Sequence, residues 1–151
     1  MGNGEDRDKP MKKRFLLATI AIVASQSACS TQYRIEMDPN AFLATWNQDM
    51  HGPDMALHRQ QGNGDATLVS EHWLLVTQNT KDNAWMLTAP EAVGQQTCNE
   101  LFVAALGISR GAADALIARG QKETQFQDGN LNITVAHEGG MICQVAVAQG
   151  K

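Results

Sequence analysis

The fold turns on one C-terminal stretch, Glu123-Thr-Gln-Phe-Gln-Asp-Gly-Asn-Leu-Asn-Ile-Thr-Val-Ala-His-Glu-Gly-Gly-Met-Ile-Cys-Gln-Val-Ala-Val147. Much of it alternates apolar with polar residues, the period at which successive strand side chains fall on opposite faces of a sheet. Asp128-Gly129 is a favoured two-residue hairpin turn, and Glu138-Gly-Gly140 is a second break. The stretch therefore predicts a three-stranded antiparallel meander: Glu123 to Gln127, Leu131 to Val135 and Ile142 to Val147. Leu131, Ile133 and Val135 share one face, as do Cys143, Val145 and Val147. A sheet with one apolar face needs something laid over it.

The cover is sought upstream. Thr88-Ala-Pro-Glu91 has the form of a capping box and predicts a helix beginning at Ala89 and stopping at Gly107. Val93, Thr97, Leu101 and Ala105 form its inward stripe, with Phe102 beside them. A second short helix is expected from a Ser109 cap through Ala112, Leu116 and Ile117 to Gly120. Further back, Thr67 to Thr77 reads as one buried strand, with a short helix from Ser70 as the competing reading. Asn79 to Asn83 supplies a turn, and Trp85 to Thr88 the returning strand. Asp38-Pro39 offers an N-cap and a first helical position, followed by Phe42, Leu43, Trp46 and Met50 at helical spacing. His51 to Asp65, broken by Gly52-Pro53 and Gly62-Asn-Gly-Asp65, reads as loop. The expectation is a single small α+β domain over residues 38–151. Its antiparallel sheet, a hairpin plus the meander, packs against one main helix and one or two short ones. Trp46, Trp73 and Trp85 are expected in the core.

The face pattern places Cys143 on the core side of the sheet and Cys98 on the flank of the main helix's buried stripe. They meet if that helix lies on the sheet, which predicts a Cys98–Cys143 disulfide; two buried reduced thiols are the alternative. The third cysteine, Cys29, closes a segment of another kind. Met11-Lys-Lys-Arg14 is followed by the apolar run Phe15 to Ala24 and then by small residues. The run is too short for a hydrocarbon core that needs about 20 apolar residues. A secretory signal peptide over residues 11–28 is expected, with residues 1–10 a non-native extension ahead of the true start at Met11.

Ser27-Ala28-Cys29-Ser30 resembles the end of a bacterial lipoprotein signal, in which a small pair precedes a cysteine that receives diacylglycerol on its sulfur. The resemblance covers the signal segment alone. It implies lipidation of Cys29, with residues 29–37 as a tether, and Ser30 after the cysteine favours the outer membrane of a Gram-negative cell. Ser25-Gln-Ser27 leaves ordinary signal-peptidase cleavage open, which would give a soluble periplasmic protein. Lipid on Cys29 leaves an even pair of thiols in an exported chain.

The 151 residues are 43% hydrophobic and 19% charged, with a formal charge of −4, a composition that fits one packed domain. Without the first 29 residues, seven basic residues face thirteen acidic ones, near −6. Such a balance neither neutralises phosphates nor adheres to anionic lipid, so nucleic acid is not an expected partner.

Candidate chemistry is sparse. His51, Asp54 and His58, with His72 further on, are the candidate ligands for zinc or copper, although no zincin spacing or cysteine pair accompanies them. Ser70 and His72 would share a strand face about 7 Å apart, too far to exchange a proton directly. Gly62-Asn63-Gly64 lacks the strand, third glycine and lysine of a nucleotide loop. No catalytic set emerges and no cofactor is implied beyond that possible metal. Two functions are expected. The first is a lipid-anchored or periplasmic envelope protein that binds another envelope protein non-catalytically, such as an accessory subunit of a secretion or conjugation machinery, or an inhibitor or immunity lipoprotein. The alternative is a periplasmic metal-binding protein using the His51/Asp54/His58 cluster.

Overall fold

A computed structural model describes residues 30–48, 54–70 and 74–149. Within them the chain runs α1 (Pro39–Gln48), β1 (Ala56–Gln60), β2 (Ala66–Val69), β3 (Leu75–Asn79), β4 (Ala84–Ala89), α2 (Glu91–Leu106), α3 (Arg110–Glu123), β5 (Gln125–Asp128), β6 (Leu131–His137) and β7 (Met141–Val147). The fold is α+β, as the patterning predicts. The hairpin and the meander belong to one seven-stranded antiparallel sheet of order β1-β2-β3-β4-β7-β6-β5. The last strand is thus inserted at the middle, paired with β4 from Ala84↔Ala146 to Ala89↔Met141 and with β6 from Leu131↔Val147 to His137↔Met141.

The period of two in the strands decides where the helices go. Leu68, Val76, Trp85, Leu87, Cys143, Val145, Ile133 and Leu131 are buried on one face. All three helices lie on that side: α2 over β4 and β7, α3 over β5 and β6, and α1 against α2 beside β1. Phe42 stacks between Trp46, at 5.9 Å between ring centroids, and Trp85, at 4.1 Å, which puts two of the three tryptophans in the core. Trp73 lies outside the described residues. Helix α3 approaches the sheet so closely that a Cβ at Gly120 would overlap the Val135 side chain, so only glycine permits that contact.

Several local expectations are corrected. Thr88 does not cap a helix: it is a β4 residue paired with Leu75 and Ile142, so its backbone already serves the ladder. Helix α2 starts two residues later than expected, after Pro90, with no side-chain cap, and the Glu91 carboxylate turns instead to His137 Nδ1 at 2.8 Å. Helix α3 is capped by Ser109 as expected, its hydroxyl accepting from the Ala112 amide, but continues past Gly120 to Glu123. The region read as loop from His51 contains the edge strand β1, all five of whose residues are exposed and whose register slips between Leu57 and Arg59. That slip is a device that blunts a free sheet edge. The strand expected from Thr67 to Thr77 is two antiparallel strands, β2 and β3, closed at the far end by a Ser70 N–H to Leu74 carbonyl bond.

Cys98 and Cys143 form a disulfide, with Cα atoms 5.8 Å apart and both residues fully buried. It fastens the main helix to the strand that joins the two halves of the sheet. Closing a loop with a sequence separation of 45 stabilises by about 4 kcal/mol in the chain-entropy model. The paired substitution Cys98→Ala/Cys143→Ala is therefore expected to lower the free energy of unfolding by about that amount, read from urea titration. An unchanged midpoint would contradict it.

Candidate interaction site

The described chain opens with a strap, residues 30–37, expected from the sequence to be a free tether. Thr31, Tyr33, Ile35, Glu36 and Met37 hold it against the domain. An amide side chain presents a donor and an acceptor side by side, and Asn130 uses both on one strap residue. Its Oδ1 accepts from the Tyr33 amide at 2.7 Å while its Nδ2 donates to the Tyr33 carbonyl at 2.8 Å. Further along, the Glu36 amide donates to the Ala105 carbonyl at 2.7 Å, and the Glu36 carbonyl accepts from Trp85 Nε1 at 2.6 Å. The Met37 carbonyl accepts from Gln78 Nε2 at 2.5 Å. Ile35 sits in the core between these bonds. At its start the strap crosses the β5–β6 turn so closely that a Cβ on Gly129 would overlap the Thr31 carbonyl oxygen. The tether is corrected to a built-in element because its backbone groups have buried partners to satisfy.

A latch reinforces the start of the strap. The Tyr33 hydroxyl donates to Asp128 Oδ2 at 2.7 Å, and Asp128 faces Arg119, 3.8 Å away. Arg119 also pairs with Glu123 at 3.0 Å and covers the Phe126 ring at 4.4 Å from its centroid. The hydrogen bond to Asp128, together with burial and that carboxylate's charge, raises the Tyr33 pKa above the usual tyrosine value. The neutral phenol is what the folded state holds.

A second polar cluster ties α2 to α3. Glu100 is almost fully buried and ion-paired with Arg110, while Asn99 Nδ2 donates to the Arg110 carbonyl at 3.0 Å and to Asp114 Oδ1 at 2.6 Å. Asn99, Arg110 and Asp114 line a cleft of about 510 Å³ together with Glu91, Gln95 and Gln96. A carboxylate this deep persists because it is paired.

Among the described residues no helix lies over the sheet's other face. Its outward positions alternate with the buried ones, and from β2 to β7 none carries a charged residue; Arg59, at the β1 edge, is the exception among the described strands. Leu75 and Met86 are 39% and 38% exposed there. Val69 lies beside Leu75, and Ile142 pairs with the Thr88 that neighbours it. Toward β5 the surface turns to amides and hydroxyls, with Gln125, Thr134 and Gln144 along one rung.

The structure joins Cys98 and Cys143 but does not assemble the other sequence candidates. Cys29, His51 and His72 lie outside the described residues. Asp54 and His58 are both exposed, His58 on the edge strand, and among the described residues no three His, Cys, Asp or Glu side chains come together as a metal cluster. Among the described residues no single helix is long and apolar enough to cross a membrane. The strap was missed by sequence reasoning, although Tyr33, the chain's single tyrosine, and Ile35 were out of place in a solvated tether. The uncharged face was legible, since every outward residue of the meander is an amide, a hydroxyl or a small or apolar side chain. The chain matches no protein-family model, and no curated protein or solved structure is significantly similar to it.

Two substitutions test these clusters. Because its folded pKa is raised, Tyr33 contributes stability in full below about pH 10 and loses it as pH rises through the raised value. Tyr33→Phe is expected to cost about 1 kcal/mol near neutrality and to remove that alkaline loss, measured by urea midpoints across pH. Equal midpoints at both ends would show that the latch contributes nothing. Arg110→Ala leaves the Glu100 carboxylate buried and uncompensated. It should cost about 3 kcal/mol, the low end for a broken buried pair because Arg110 is itself partly exposed. A loss below about 0.5 kcal/mol, the scale of a plain surface substitution, would refute that assignment.

Proposed function

We propose that this chain is a non-catalytic component of the cell envelope. A lipid on Cys29 holds it at the membrane surface, and its rigid, disulfide-braced domain docks onto a protein partner there. Accessory subunits of secretion or conjugation machineries and inhibitor or immunity lipoproteins work in this manner. The observation that carries the reading is the docked strap. As a free tether, the eight residues 30–37 would let the domain range about 28 Å from its lipid, at about 3.5 Å per residue. With Thr31 seated on the β5–β6 turn, Ser30 alone separates it from Cys29 in the chain. The free length is about 7 Å.

A lipid on Cys29 would therefore keep the β5–β6 end of the domain against the headgroups. The partner would have to lie in or beside the same membrane. Two other features support the reading. A buried disulfide belongs to an oxidising compartment. The acidic balance keeps the domain from adhering to anionic lipid, which leaves attachment to the acyl chains. Asp54 and His58, exposed and apart from any third ligand among the described residues, give the metal-binding alternative no comparable support.

The intact mass of membrane-extracted protein tests the proposal. Expected are loss of the residues before Cys29, added diacylglyceryl and acyl mass, and two hydrogens fewer for the Cys98–Cys143 bond. Cys29→Ala should move the chain from the membrane fraction to a soluble one with that bond intact. Recovery of the uncleaved chain from soluble cytoplasm, with all three thiols open to alkylation, would overturn the proposal.

A further inference from the structure

We infer that the open face of the sheet is a self-association surface, on which a second copy of this chain packs sheet to sheet. Three observations point to a copy rather than to another occupant. The first is charge. The outward strand positions from β2 to β7 carry no charge, whereas the helices present both signs, Glu91, Asp114 and Glu123 beside Arg110, Arg119 and Lys122; Asp82, in the β3–β4 turn, lines a groove at the edge of this face with Gln125, Thr134 and Gln144. Two copies meeting at the strand positions from β2 to β7 bring no like-charged side chains of those strands together.

The second observation is chemical. A contact between identical copies related by a two-fold axis must be complementary to itself. Charged surfaces fail that requirement. Side chains that both donate and accept satisfy it, and Thr77, Gln144, Thr134 and Gln125 are of that kind. They border the apolar patch of Leu75 and Met86, with Val69 and Ile142 at its margins. An apolar centre with a polar, uncharged border is the composition of a pairing surface.

The third is size. Six strands about 4.8 Å apart and about five residues long, at about 3.4 Å each, present roughly 500 Å² per copy. Both copies together bury about 1,000 Å², the lower limit for a specific interface. The dimer is accordingly a moderate one that forms at micromolar concentration. A two-fold axis parallel to the strands places both straps at the same end, where one membrane can receive both. The pairing itself does not depend on the lipid.

The test is sedimentation velocity of the full chain purified from the cells that express it, from about 1 to about 100 μM. The expected result is a shift from monomer to dimer mass across that range. Leu75→Glu/Met86→Glu places two carboxylates per copy in the contact and should weaken dimerisation at least 100-fold. Gln144→Arg, which alters no fully buried side chain, should weaken it as well. Lys122→Glu, on the helical side, should leave it unchanged. Circular dichroism and an intact disulfide confirm folding of each variant. A chain that stays monomeric at about 100 μM overturns the inference, and so does a dimer that survives both Leu75→Glu/Met86→Glu and Gln144→Arg. A monomer that gains mass only with added envelope extract also overturns it, while leaving the envelope-component proposal standing.

Discussion

The pairing of β7 with β4 is the contact on which the rest of this molecule depends. Without it the four-stranded and three-stranded meanders are separate sheets, and α2, laid over β4 and β7, loses the continuous surface it covers. The strand comes last in the chain and must find its place between two strands already made, and such distant contacts are slow to form. The Cys98–Cys143 bond sits at this junction, holding α2 down on the inserted strand. Covalent closure there protects the one strand pairing that both meanders share.

One side of the sheet is devoted to stability and the other is left free of that duty. On the covered side lie the disulfide, the stacked Phe42 and Trp85 rings and the strap carbonyls received by Trp85 and Gln78. Charge follows the same division. Charged residues of both signs sit on the helices and turns, while the outward strand positions from β2 to β7 stay neutral. In an exposed antiparallel sheet, charged residues are the usual protection against unwanted pairing. Their absence from the face, set against the slipped register at the β1 edge, shows protection placed at the edge and not across the surface.

Much of this was readable in the residues and some was not, for physical reasons. The meander from β5 to β7 declared itself through strict alternation and glycine turns, and the Cys98–Cys143 pair followed from the faces. Thr88-Ala-Pro-Glu91 misled because a capping box is a local signal, and the ladder contacts of Thr88 with Leu75 and Ile142 outweigh it. Strand β1 left no alternation to detect, since all five of its residues are exposed and it is held by its pairing with β2. The strap was invisible because its partners are far away in sequence: Asn130 lies 97 positions beyond Tyr33. The metal candidates rested on proximity along the chain, and of those described, Asp54 and His58 are solvated and join no larger group.

Asn130 has a consequence for the connectivity of the domain. Its side chain grips Tyr33 near the beginning of the fold, and its carbonyl accepts from the Ala148 amide at 2.8 Å near the end. The two ends of the described chain thus lie at one corner, both held by Asn130. A linker joining them would turn the domain into a ring, which could be cut open at an exposed bend such as Gly62 without rerouting any core strand. In that sense the fold is circular in all but covalent bonds.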